Sequence, residues 1–206
     1  MSNMPVRLGR GHAIEPGARV GVRSPRSKGK PVLSVGDGAI IRSGTVVYLG
    51  SRIGKNLETG HHAVIREENV IGHQFRLWNN STIDYSCRIG NRVKVHCNCY
   101  VAQFTTLEDE VFLAPGVTIA NDLYPGNDQS ACVMRGPRLG KGVQVGVNAT
   151  ILPYVRIGAG SIIGAGAVVV RDVPPGSVVV GNPGRVIGKV QAMKRRWLKN
   201  LSRRGR

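Results

Sequence analysis

Two adjacent histidines, His61 and His62, are the first residues in this chain that could do chemistry. A neutral imidazole takes up a proton near neutral pH, so either ring could act as a general base. Eighteen residues later stand Asn79 and Asn80, and eighteen beyond those stand Cys97 and Asn98. Side-chain amides both donate and accept hydrogen bonds, so they can hold a polar substrate or stabilise a developing oxyanion. The same spacing has a structural reading. Asparagine enters turn conformations readily, so Asn80 and its counterpart Asn148 also fit a plain turn ladder. His73 and His96 read as solvated edge histidines.

The eighteen-residue spacing belongs to a shorter code. Read in sixes from Val35, the chain opens each six with Leu, Ile or Val through Ile119, Thr59 excepted. The phase returns at Leu139, Val145, Ile151, Ile157, Ile163 and Val169. A fixed short period marks a repeat architecture. One aliphatic per six residues fits a very short strand followed by a turn, with three such units closing a triangular coil. A coil of this kind cannot bury its own interior, so coils stack and pair in parallel. The predicted fold is an all-β repeat with 18 residues per coil, and the 28 glycines suit its corners. Residues eighteen apart then lie above one another, so His61, His62, Asn79, Asn80 and Asn98 form one polar ladder at a corner. The only six without an aliphatic opener, TGHHAV, is the one that carries both histidines. A local break in a regular code is where function is expected.

The pattern divides the chain into five parts. Residues 1–34 read as an N-terminal cap with a basic loop, and 35–121 as coils. Residues 122–138, rich in Pro and Gly, read as an excursion loop at a corner. Residues 139–188 are further coils with a terminating segment. Residues 189–206 read as a short basic C-terminal helix and tail, with Val190, Met193, Trp197 and Leu201 on one face. Of the net charge of +17, +6 falls in residues 1–34 and +9 in 185–206, so the coil body is nearly neutral. The basic ends admit a non-enzymatic protein that binds a polyanion. They lack a series of stacking aromatics, which argues against nucleic acid as the ligand. No apolar run reaches membrane-spanning length, and the N-terminus has no apolar signal region, so a cytoplasmic protein is expected. Cys87, Cys97, Cys99 and Cys132 fit no CxxC spacing and read as reduced thiols, with Cys87 and Cys99 facing inward.

The repeats resemble the bacterial hexapeptide-repeat acyltransferases, which fold as left-handed parallel β-helices. GNPGRVIG at 181–188 is similar to the terminating signature of that family. TLEDEVFLAPGVTIANDLYP at 106–125 resembles a stretch of N-acetyltransferases that act on nucleotide-linked amino sugars, and of related sugar O-acetyltransferases. The resemblance implies a homotrimer that transfers acetyl from acetyl-CoA to the amine of a nucleotide-linked amino sugar. Acetylation of a sugar or small-molecule hydroxyl is the alternative. Asn98 matches an active-site asparagine of the amino-sugar enzymes, and His61 and His62 are the candidate bases. Asn79, Asn80, Asp122 and Tyr124 are the expected acceptor contacts. Acetyl-CoA is expected near Lys141, Arg156, Arg171 and Arg185, with Gly166 and Ala167 giving room for the pantetheine arm. No metal is expected. The γ-type carbonic anhydrases share this fold but need paired histidines two coils past the first. Here those positions hold Cys97, Asn98 and Ala102.

Overall fold

The computed structural model describes residues 5–196. They wind into a parallel β-helix with three walls. The walls contain eight, ten and eight strands, and each strand pairs with the one three steps on in sequence until the C-terminal end of the second wall. Representative strands are Val70–Ile71 in the first wall, Arg76–Leu77 in the second and Thr82–Ile83 in the third. Ile71 pairs with Ile89, Leu77 with Val95 and Ile83 with Val101, so the step is the eighteen residues of the code.

Inside the coils, the first residue of each six fills the interior and the fifth packs the turn. Ile65, Leu77, Ile83 and Leu113 are fully buried, as are Ala63, Phe75, Cys87 and Val93. Each buried aliphatic contributes about 1.5–3 kcal/mol. The fourth residue of the six has a left-handed backbone. Glycine takes this place at Gly44 and Gly116, but His62 (φ 55°), Asn80 (56°) and Asn98 (59°) take it as well. Among the described residues, none of the twelve non-glycine residues with positive φ is β-branched, in keeping with the steric cost of that region.

The N-terminal stretch expected as a cap is itself a coil. Val6–Leu8, Ala13–Ile14 and Arg19–Val22 each pair in parallel with the next coil. Val6 pairs with Leu33, a step of 27 rather than 18 residues. The basic loop is therefore a nine-residue insertion at a corner, which puts Leu8, Ile14 and Val20 out of phase with the rest. The excursion loop at 122–137 leaves from the same corner, between the third and first walls, and carries one helical turn, Asp128–Ala131. The stack ends in an antiparallel pair, Ser177–Val180 with Arg185–Lys189. Residues 190–196 are helical and mostly exposed, with Met193 at 44%. Trp197 and Leu201, expected on the packed face of that helix, lie outside the described residues.

The corner between the third and first walls also holds a closed polar network. Glu67 is buried and accepts from Ser24 Oγ at 2.9 Å and from Arg66 at 3.0 and 3.1 Å. Arg26 lies 3.4 Å from the same carboxylate and stacks over the Tyr85 ring at 3.7 Å. One coil on, buried Asp84 accepts from the Tyr100 hydroxyl at 2.6 Å and pairs with Arg66 at 3.3 Å. Burial pushes the Glu67 carboxyl up, but the bonds from Arg66 and Ser24 outweigh it and hold the group below its ordinary range.

Candidate active site

The histidine ladder lies at the corner between the second and third walls. Its backbone is pinned by the exceptional Thr59, which is fully buried. Elsewhere at this corner the N–H after the strand donates to a carbonyl, as Trp78 does to Val95 and His96 to Leu113. Arg42 N–H instead donates to the Thr59 hydroxyl at 3.0 Å, and that hydroxyl lies 3.2 Å from the Thr45 hydroxyl. A polar side chain thus replaces the aliphatic because it completes the hydrogen bonding of the preceding turn, the one that places Ser43 beside His61.

His61 is held from three sides. Its N–H donates to Asn79 Oδ1 at 2.9 Å. Its Nδ1 lies 2.8 Å from Ser43 Oγ and 3.9 Å from Glu15 Oε2. Glu15 also accepts from the Ser43 N–H at 2.9 Å and from Arg42 at 3.2 Å. The Ser43 N–H holds the Glu15 carboxyl below its ordinary range. An ionised carboxylate beside Nδ1 favours the tautomer with its proton there, which leaves Nε2 as the free acceptor. No group among the described residues bonds Nε2. The ring is half-exposed. Carboxylate, imidazole and open nitrogen form an arrangement that can accept a proton at Nε2.

The other ladder members differ in role. His62 folds its ring back over Gly44, where an added Cβ would lie 2.2 Å from its Nδ1. Asn79 orders His61 through its amide oxygen. Asn80 and Asn98 are exposed at successive coils. Strand spacing puts Asn80 about 5 Å and Asn98 about 10 Å along the stack from the histidines. His73 is a turn residue: its Nδ1 accepts from the Lys55 N–H at 2.9 Å. His96 lies between Trp78 and Phe112, with ring centroids 6.2 and 5.2 Å away.

Sequence reasoning missed Glu15 and Ser43. Ser43 could have been found, since it stands eighteen residues before His61. Glu15 could not be read from the spacing, because the basic-loop insertion moves its coil out of phase.

The remaining expected residues fall elsewhere on the chain. Asp122 and Tyr124 lie in the excursion loop, at a different corner from His61. Asp122 accepts from the Tyr124 N–H at 2.9 Å and from the Ser130 hydroxyl, so it shapes the loop. Tyr124 is 72% exposed. Arg156 lines a cavity of about 970 Å³ on the first wall, with Arg135 and Arg138 beside it. Lys141 lines a neighbouring hollow that shares Arg138. Gly166 and Ala167 lie at the histidine corner in a later coil. Arg171 follows the last strand of the third wall, and Arg185 lies in the terminal antiparallel pair. Cys87 and Cys99 are buried, and burial pushes their thiols up to about 12 and about 11. Among the described residues, no group of three or more His, Cys, Asp or Glu gathers to hold a metal ion. No described helix is long and apolar enough to cross a membrane.

The bacterial transferase hexapeptide family (six repeats) matches residues 86–121 and 136–171. Those ranges include Asn98 but not the coil of His61 and His62. The serine acetyltransferase of Mycobacterium tuberculosis is 40% identical over 91 residues, covering 44% of this chain and 37% of that protein. The serine acetyltransferase of Buchnera aphidicola (subsp. Acyrthosiphon pisum) is 29% identical over 150 residues, covering 66% of this chain and 53% of that protein. The chain therefore spans about half or less of the length of these relatives. Among solved structures, LpxA, a UDP-N-acetylglucosamine acyltransferase from Bacteroides fragilis 9343, matches with a TM-score of 0.75. That match covers 94% of this chain and 74% of LpxA at 18% identity, and it establishes the fold alone.

Proposed function

We propose that this chain, a hexapeptide-repeat protein with a left-handed parallel β-helix fold, transfers acetyl from acetyl-CoA to a hydroxyl, with His61 as general base. The supporting observation is the carboxylate-backed imidazole, with Glu15 3.9 Å from Nδ1 and Nε2 open. In this reading the acceptor hydroxyl loses its proton to Nε2 as its oxygen attacks the thioester carbonyl. The C–S bond then breaks, and the imidazolium returns the proton to the departing CoA thiolate. The Asn80 amide, one coil away, is the nearer oxyanion donor, while Asn98 holds a more distant part of the acceptor. Acetyl-CoA lies in a cleft between stacks of a homotrimer, its phosphates toward Lys141 and Arg156. Arg171, Arg185, Gly166 and Ala167 contribute only if a neighbouring stack brings them to that cleft. The same assembly could bring Asp122 and Tyr124 to the histidine corner of a neighbour. A cytoplasmic setting, with its supply of acetyl-CoA, belongs to this reading.

A second reading keeps the amine of a nucleotide-linked amino sugar as acceptor. It is favoured by Lys94, which shares a cavity of about 700 Å³ on the second wall with the ion pairs Arg76–Glu58 and Arg92–Glu110. A neutral amine has its own lone pair, so it needs less help than a hydroxyl. Free-thiol release from acetyl-CoA, measured with L-serine and with amino-sugar nucleotides, tests both. His61→Ala lowers transfer to a hydroxyl about a thousandfold and leaves partial transfer to an amine. Saturable acetyl-CoA binding by calorimetry at physiological salt must accompany either result. Weak binding that vanishes with added salt would sink both readings in favour of generic attraction by the basic ends.

A further inference from the structure

The C-terminal end of the stack carries a charge imbalance that the coil body does not. Asp172 is the last acidic residue in the sequence, and it accepts from the Arg156 N–H at 2.7 Å. Residues 173–206 hold nine Lys and Arg and no acid. Of these, Arg185, Lys189, Lys194, Arg195 and Arg196 are described, and none pairs with a carboxylate among the described residues. Lys189 donates to the Pro175 carbonyl at 3.0 Å and Arg185 to the Gly184 carbonyl at 3.1 Å, so both keep their charge. The same end carries aliphatic side chains that the interior does not use. Val173 and Val179 are buried and close the last coil from within. Arg185–Lys189 is the outermost strand of the second wall, paired on one edge only. Its Val186 and Ile187 are 49% and 52% exposed, and Met193 on the helix that follows is 44% exposed. The Val190 N–H donates to the Gly176 carbonyl at 2.9 Å and ties the start of that helix to the stack. Met193 and the run Lys194–Arg196 are therefore held at this end, within two turns of that anchor. The end presents an apolar tip with a rim made only of cations.

We propose that the C-terminal end of the stack is a docking surface for an anionic lipid bilayer. Val186, Ile187 and Met193 enter the boundary between headgroups and acyl chains, and Lys189, Lys194, Arg195 and Arg196 meet the lipid phosphates around them. At such a boundary the aliphatics leave water and the cations gain countercharge, so both features of this end are used at once. A nucleic acid would satisfy the cations but leave the aliphatics in water, and residues 173–196 contain no aromatic ring on which bases could stack. A second copy of this end would bring like charges face to face. The strand of Thr59 and the outermost strand are seven steps apart on the second wall, so about 34 Å of stack separates the histidine corner from the docked end. That corner stays clear of the lipid. The inference does not depend on the acetyl-transfer reading.

The test is co-sedimentation of the full chain with two kinds of vesicle, phosphatidylcholine alone and phosphatidylcholine with about one third phosphatidylglycerol. The chain pellets with the mixed vesicles and stays in solution with phosphatidylcholine alone. Val186→Ser together with Ile187→Ser keeps every charge and weakens binding about tenfold. Lys194→Ala, Arg195→Ala and Arg196→Ala combined keep the aliphatics and weaken binding about a hundredfold. All five side chains are exposed, so both variants keep the Tm of the parent. Equal pelleting with both vesicles, no pelleting with either, or unchanged binding in the serine double variant overturns the proposal. Tighter binding to a single-stranded oligonucleotide than to the mixed vesicles, equal in the parent and the serine double variant, assigns the end to nucleic acid and also overturns it.

Discussion

Two corners of the same coil use the same three places of the six-residue unit in opposite ways. Between the third and first walls the second and third places hold Arg66, Glu67, Asp84 and Tyr85, and both carboxylates are buried and paired with Arg66. Between the second and third walls they hold His61, His62, Trp78, Asn79, Asn80, His96 and Asn98, and many of those side chains end in open space. The backbone is equivalent at both. A polar group whose bonding capacity is met within the chain holds the structure together. One whose capacity is left open is available to something that is not in the chain. The contrast is sharpest in the carboxylates: buried Glu67 is enclosed by Ser24, Arg66 and Arg26, while Glu15 is used to orient a ring that faces out.

The contrast can be tested by removing one member of each corner. His61→Ala is expected to lower kcat about a thousandfold. Its urea midpoint should stay within about 0.5 kcal/mol of the parent, since the ring is half-exposed. Glu67→Ala should do the reverse. Removing one partner of a buried pair costs about 3 kcal/mol in urea denaturation, while turnover per folded molecule is retained. Equal stability losses in the two variants would dissolve the distinction. Glu15→Gln, which keeps the shape but not the charge beside Nδ1, should lower kcat about tenfold and leave KM for acetyl-CoA alone. The buried thiols report the same contrast, since Cys87 lies under the paired corner and Cys99 under the open one. A thiol reagent should label exposed Cys132 quickly and neither buried thiol in the parent. Glu67→Ala should open Cys87 to the reagent, and His61→Ala should leave Cys99 closed.

The smallest expected effect is on pH. Glu15, Asp37, Glu67, Asp109 and Glu110 all have carboxyls held below their ordinary range. A depressed carboxyl adds stability above its unfolded value and loses that contribution as pH falls through its folded value. Tm should therefore hold from pH 7 to about 4.5 and decline below. Glu67→Gln should lessen the decline more than Glu15→Gln does.

The fold was legible because a six-residue period leaves little freedom: the first and fifth residues are interior wherever the phase holds. The ladder of His61, Asn79 and Asn98 was legible for the same reason, since equal spacing becomes vertical stacking. The rest was lost where chain length breaks that equality. Nine inserted residues hid the first coil, and with it Glu15. Asp122 stands 24 residues after Asn98, not a multiple of eighteen, so its different corner could be read from the spacing, whereas the loop that follows it breaks the register. The aromatic neighbours of His96 were hidden for another reason. Phe112 stands at a different place in its six from Trp78 and His96, so equal spacing did not connect its ring to that of His96.

The left-handed turn position has an evolutionary consequence. At that position a glycine forfeits up to about 1 kcal/mol of chain entropy, and an unbranched residue carries about 1–3 kcal/mol of backbone strain. The difference is small, which is why His62, Asn80, Asn98, Phe104 and Tyr154 can share it with Gly44 and Gly116. Selection can therefore change what projects from these corners while the interior, whose residues answer for folding, stays constant. A lineage built on this coil can move from one acceptor to another by single substitutions that folding barely registers. New specificity can then arise without a detour through an unstable ancestor.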